Sequence, residues 1–235
     1  MGTGWRIGAQ PDRGAEALNI KRDSGFVHRF EPAANPAAPA LLLLHGAGGN
    51  ENTLLPLGRA IAPGAPLVSP LGNILKHGMS SFFRKLDKGV IDQEDLDFRT
   101  SELKTFVTAA SEMYALTKDR LIAVGVSNGA ILTTSLMLRY PETAAGAILI
   151  RGMAPFLPEP IPDLRRKPIL VLGGLDDPIV QTDETEDLAN ILRRANADVT
   201  LHWENAGNTL AQGDVLMAFD WLRRFYAPQR TASPQ

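Results

Sequence analysis

Arg120-Leu121-Ile122-Ala123-Val124-Gly125-Val126-Ser127-Asn128-Gly129 is the stretch on which the fold turns. The apolar run from Leu121 to Val126 reads as a strand covered on both faces. The residues from Gly129 to Arg139 follow with helical spacing. Between them sits G-x-S-x-G, whose glycines let a chain turn sharply out of a strand and into a helix. Ser127 would then stand above the sheet, where the amide of Asn128 can point at a developing oxyanion. The motif alone also fits a glycine-bounded helix cap; its place between strand and helix is what makes it a nucleophile elbow. A serine hydroxyl is a weak nucleophile at neutral pH and needs a base within hydrogen-bond reach.

Outward from this stretch the same alternation recurs. Gly25–Phe30 reads as an edge strand, and Leu41–Leu44, Ala65–Val68, Ala145–Ile150, Ile169–Leu172 and Val199–His202 read as further strands. Helical patterns lie at Thr100–Leu116, Gly129–Arg139, Glu184–Ala195 and Asp214–Phe225, with Tyr140-Pro141 and Asn196 as stops. Alternating strand and helix predicts an α/β fold with a mainly parallel, doubly wound sheet flanked by helices. The expected organisation is an N-terminal arm over 1–20, one domain over 21–226 and a flexible tail over 227–235.

The chain has 235 residues, 44% hydrophobic and 21% charged, which suits one α/β domain with a large core. A net charge of −2 gives no electrostatic case for nucleic acid or an anionic membrane. With no cysteine there is no disulfide, thiolate metal site or cysteine nucleophile. No signal-peptide pattern is visible at the N-terminus and no apolar stretch is long enough to span a bilayer, so the expected location is cytoplasmic. An exposed face on the last helix would permit a homodimer.

Two other segments carry chemistry. His45-Gly46-Ala47-Gly48-Gly49-Asn50 ends the Leu41–Leu44 strand. Its glycines let backbone approach a ligand, and a free amide at Ala47 would complete an oxyanion hole; a plain strand-to-helix loop is the other reading. His45 reads as structural rather than as a base. Gly174-Leu175-Asp176-Asp177-Pro178 follows the Ile169–Leu172 strand, where Asp177, with Asp176 as fallback, suits an orienting carboxylate. The acidic run Asp92–Asp97 lacks calcium-loop spacing and reads as a solvated loop or helix start. Phe82 and Phe83 fit either an acyl or aryl pocket or simple packing.

These residues resemble the carboxylesterase/phospholipase family of α/β-hydrolases, in its branch of small bacterial serine esterases. The resemblance is carried by His45–Asn50, by Ser69-Pro70, Gly72-Asn73, Gly78-Met79 and Phe82-Phe83-Arg84, and by Ser127-Asn128-Gly129-Ala130. It extends through Ala206-Gly207, Gln212-Gly213-Asp214-Val215 and Trp221-Leu222. It implies hydrolysis of small carboxylic esters through an acyl-enzyme, with no metal and no cofactor. Ser127 would be the nucleophile, Asp177 the orienting acid, and Ala47 and Asn128 the oxyanion donors. Gly46, Gly48, Leu71, Met79 and Phe82 would bind substrate.

One position departs from the pattern. The family closes with Gly-His, the histidine being the base; here Gly207-Asn208 stands in that register, so the catalytic set reads Ser127, Asp177, Asn208. Asparagine hydrogen-bonds but does not take up a proton. Loss of the histidine from a serine hydrolase site costs about a million-fold in kcat. Leu71, Ile131 and Gln181 also replace usual family residues. Of the four histidines, His28, His45, His77 and His202, only His77 falls in the segment that the resemblance places over the pocket. The expectation is an impaired ester hydrolase. A catalytically inactive or engineered ligand-binding homologue is the alternative.

Overall fold

The leucine run is β2 (Ala40–Leu44), and its side chains alternate between two cores. Leu42 and Leu44 pack with Phe106, Leu132 and Leu188, whereas Leu41 and Leu43 pack with Leu55, Ile61 and Trp221. The same alternation divides β6 (Leu121–Val126), β7 (Gly146–Ile150) and β8 (Pro168–Gly174). This is why these segments read as unbroken apolar runs: a strand buried on both faces has no polar phase. The computed structural model describes residues 25–35, 38–76 and 78–226. The arm expected over 1–20, the tail over 227–235 and His77 lie outside the described residues.

The main sheet has seven strands in the order β1-β3-β2-β6-β7-β8-β9, with β1 (His28–Glu31) antiparallel to β3 (Leu67–Pro70) at one edge. The other pairings are parallel, ending at β9 (Asp198–Glu204). Helices α2 (Gln93–Met113), α3 (Asn128–Arg139) and α4 (Thr182–Arg194) cover one face. Helices α1 (Leu55–Ile61) and α5 (Gln212–Tyr226) cover the other. This is the α/β-hydrolase architecture, with the loops that matter for function at the carboxyl ends of β2, β6, β8 and β9. Among the described residues no helix is long and apolar enough to cross a membrane.

Three local differences from the sequence expectation have identifiable causes. Helix α2 begins at Gln93 rather than Thr100, because the Asp92 side chain caps it by accepting a 3.1 Å bond from the Asp95 amide. The acidic run is therefore a helix start. Helix α1 was not expected, being short and interrupted by Gly58. A β-carbon there would lie 3.0 Å from Leu43 and Leu67 methyls, so glycine lets the helix sit close to the sheet. A small hairpin, β4 (Ile74–Lys76) with β5 (Met79–Ser81), rises outside the main sheet. Its three-residue strands are too short to register as a period.

Candidate active site

Ser127 sits between β6 and α3 with φ 52° and ψ −114°, a left-handed conformation that costs a non-glycine residue about 1–3 kcal/mol. The surroundings hold it there. Its amide donates to the Ile150 carbonyl at 2.8 Å. A side chain at Gly125 would collide with the Gly129 backbone, and one at Gly129 with the Leu44 carbonyl, so both elbow glycines are sterically required. Among the described residues the Ser127 hydroxyl makes no hydrogen bond, and the amides of Ala47 and Asn128 find no acceptor in the protein. Asn128 opens α3, where unpaired amides and the helix dipole both favour negative charge.

The loop after β2 runs alongside: a β-carbon on Gly46 would lie 3.5 Å from that of Ser127. Gly48, at φ 77°, donates its amide to the Ser80 carbonyl at 2.8 Å, which ties the loop to β5. His45 is fully buried, its ring 4.5 Å from that of Phe82. Its Nε2 accepts from the Gly72 amide at 3.0 Å, which leaves the proton on Nδ1 to bond the Gly46 carbonyl at 2.7 Å. Burial lowers its pKa, partly opposed by the Gly46 bond and the Glu51 charge. A neutral imidazole with both nitrogens engaged is a structural pin between loops, as expected for His45.

On the other side of Ser127, Asp177 is 6% exposed. Its Oδ1 accepts from the amides of Ile179 and Val180 at 2.8 and 3.1 Å. Its Oδ2 accepts from Asn208 Nδ2 at 2.9 Å. An ionised carboxylate only accepts, so the Asn208 nitrogen must face it and the Asn208 oxygen points elsewhere. The Asn208 side-chain amide is thus tied to the Asp177 carboxylate. Asp176 is exposed and is held by its backbone.

A cavity of about 690 Å³ opens on the β5 side, bounded by Ala47, Asn128, Met79, Phe83 and Leu75 among others. Asp177 and Asn208 do not line it. Arg84 stands at this cavity but is paired to Asp92 at 3.1 Å and Asp95 at 3.5 Å. Of the residues expected to contact substrate, Met79 lines the cavity, and Gly48 packs behind it 3.6 Å from the Met79 sulfur, measured from the position of a β-carbon. Gly46 lies beside Ser127. Leu71 is half-buried, its amide bonded to the Val27 carbonyl at 2.7 Å, and is not part of the wall. Phe82 is 1% exposed beneath His45, and its neighbour Phe83 supplies the aromatic wall instead.

Sequence reading missed Arg151. It follows β7 directly, is 1% exposed and adopts φ 52°. Its guanidinium grips Asp214 through both terminal nitrogens, at 3.0 and 2.8 Å. The same group donates to the carbonyls of Gly207 at 2.8 Å, Leu172 at 3.1 Å and Thr209 at 3.5 Å. A side chain at Gly174 would press on Ala206, Gly207 and Arg151, so this junction is closely packed.

The sheet order and its flanking helices define an α/β-hydrolase. The sequence profile of the phospholipase/carboxylesterase family matches residues 28–210, and the chain belongs to that family. MhqD of Bacillus subtilis (strain 168), provisionally named a hydrolase, is 41% identical over 183 residues, 78% of this chain and 92% of the relative. The crystal structure of a Bacillus cereus carboxylesterase superposes with a TM-score of 0.85 at 39% identity, covering 89% of this chain and 99% of the other. A carboxylesterase from Mesorhizobium loti superposes with a TM-score of 0.81 at 30% identity, covering 87% and 97%.

Proposed function

We propose that the chain is a serine hydrolase of small carboxylic esters whose site is complete except for its base. The observation that carries this reading is the 2.9 Å bond from Asn208 to Asp177. It supports an asparagine standing at the station of the base, with the orienting acid still in place. Ser127 Oγ would attack the ester carbonyl, and the amides of Ala47 and Asn128 would receive the negative charge on the carbonyl oxygen. Collapse expels the alcohol and leaves an acyl-enzyme, which water then hydrolyses. Each step needs a proton moved at Ser127 Oγ, the alcohol oxygen or the water. Asn208 moves none, so both half-reactions run slowly on solvent and the oxyanion donors alone.

The strand order also supports an orientation for the substrate. With a base restored at position 208, the leaving alcohol would be protonated from that side, beyond β7 and β8. The cavity shares the oxyanion donors but lies on the β2 side of β6 and excludes Asp177 and Asn208. It therefore suits the acyl group. The engagement of every imidazole nitrogen of His45 favours a second reading, in which the pocket binds a ligand without turnover.

The test is p-nitrophenyl acetate and butyrate turnover by the native chain and by Asn208→His, side by side. The hydrolase reading expects a gain of several orders of magnitude. No gain would mean a site remodelled beyond position 208 and would leave the ligand-binding reading.

A further inference from the structure

We infer that Arg151 is the positioning residue that registers position 208 against Ser127; the inference rests on the hydrolase reading of the site. The dipeptide Ile150-Arg151 ties together all three corners of the site. The Ile150 carbonyl accepts the Ser127 amide at 2.8 Å, which fixes the elbow to the end of β7. The Arg151 amide donates to the Leu172 carbonyl at 2.9 Å, which fixes the strand leading to Asp177. The guanidinium then straddles residue 208, with Nε on the Gly207 carbonyl at 2.8 Å and Nη2 on that of Thr209 at 3.5 Å. Asp214 closes the arrangement, because its Oδ2 accepts both Arg151 Nη2 at 2.8 Å and the Ala211 amide at 2.8 Å.

A buried ion pair is weak evidence of a contribution to stability, since apolar groups of similar size often replace one without loss. What apolar groups do not supply is a planar fork reaching two carbonyls and a carboxylate at once. The left-handed φ of 52° at Arg151 fits that purpose: the backbone accepts strain, and the side chain is aimed across the sheet ends. The fork does not touch the reacting atoms. It acts through residue 208, and misplacement by about 1 Å of a group in such a site costs on the order of a hundred-fold.

The test uses Arg151→Lys, which keeps the charge opposite Asp214 but loses the fork, and Arg151→Met/Asp214→Leu, which removes the pair as a unit. In the Asn208→His background both should lower kcat by about a hundred-fold. KM should change little. The pH–rate inflection should fall towards the ordinary imidazole value as the introduced imidazole loses Asp177. In the native chain, the Asn208 side-chain amide should give an exchange-protected proton resonance through its bond to Asp177, and both variants should lose that protection. Leu103→Ala, a core change on α2 at the opposite face of the sheet, should destabilise the fold yet leave the signal in place. Unchanged kcat and pH profile, or an unchanged Asn208 signal, would overturn the inference. If Asn208→His hydrolyses no ester, the hydrolase reading falls, and the amide signal in the native chain decides the positioning role by itself.

Discussion

At the scale of the residue, the proposed chemistry turns on the difference between an amide and an imidazole at position 208. Both can bond Asp177, but only the imidazole carries a proton between the serine and the leaving group. One consequence is non-additivity. Asp177→Asn should change turnover of the native chain by less than a few-fold, since an orienting acid with no base to orient has little to do. In the Asn208→His background the same change should cost on the order of a thousand-fold or more, as groups that act as a unit do. Steady-state kinetics on the four proteins decides this, and equal effects in the two backgrounds would remove Asp177 from the proposed set. A second consequence concerns pH. With no titrating base at the site, the native rate should climb with hydroxide from pH 6 to 9 without an inflection near neutrality, whereas Asn208→His should introduce one. Ser127→Ala should abolish whatever activity the native chain has, and a surviving rate would place the chemistry elsewhere.

At the scale of the element, the proposed acyl cavity assigns selectivity to the hairpin of β4 and β5. Met79 and Leu75 on it line, together with Phe83 and Ala47, a cavity far larger than an acetyl group needs. Each buried methylene corresponds to about a three- to four-fold gain. In the Asn208→His protein kcat/KM should therefore rise from acetate to octanoate by at least ten-fold. Met79→Trp should flatten that rise, which a chain-length series with p-nitrophenyl esters would measure; a series that falls from acetate would remove the acyl assignment. This element was hardly legible in the sequence, because three-residue strands show no period. The main sheet was legible because its strands are buried on both faces and so appear as apolar runs such as Leu41–Leu44. The elbow was legible because glycine is sterically obligatory at Gly125 and Gly129, and that need leaves a mark on composition. Asp177 could be read from its place just after the strand that became β8, whereas Asn208 could be placed only through the family resemblance. Arg151 was invisible: a charged residue after an apolar run reads as a surface residue, and its partner Asp214 is 63 positions away.

At the scale of the whole molecule, His45 couples folding to pH. It lies in the interior at 0% exposure, pinning the loop after β2 to Gly72 through an Nε2 that must stay unprotonated to accept that bond. Burial therefore lowers its pKa below the ordinary 6.5. The unfolded chain takes up a proton on this imidazole as pH drops through about 6.5, while the folded chain does so only at a lower pH. Between those two points the unfolded state binds more protons, so stability falls as pH falls, and above 6.5 the contribution is fully present. Urea midpoints measured from pH 8 to pH 5 should show this decline beginning near 6.5. His45→Gln keeps an acceptor for the Gly72 amide but cannot titrate. It should be less stable than the native chain at pH 8, because the ring no longer fills the space against Phe82. The gap between the two proteins should narrow towards pH 5 as the native chain loses its advantage. A gap that stays constant or widens with acidity would mean that His45 is protonated in the fold, and its place as a neutral pin between the loop after β2 and Gly72 would have to be given up.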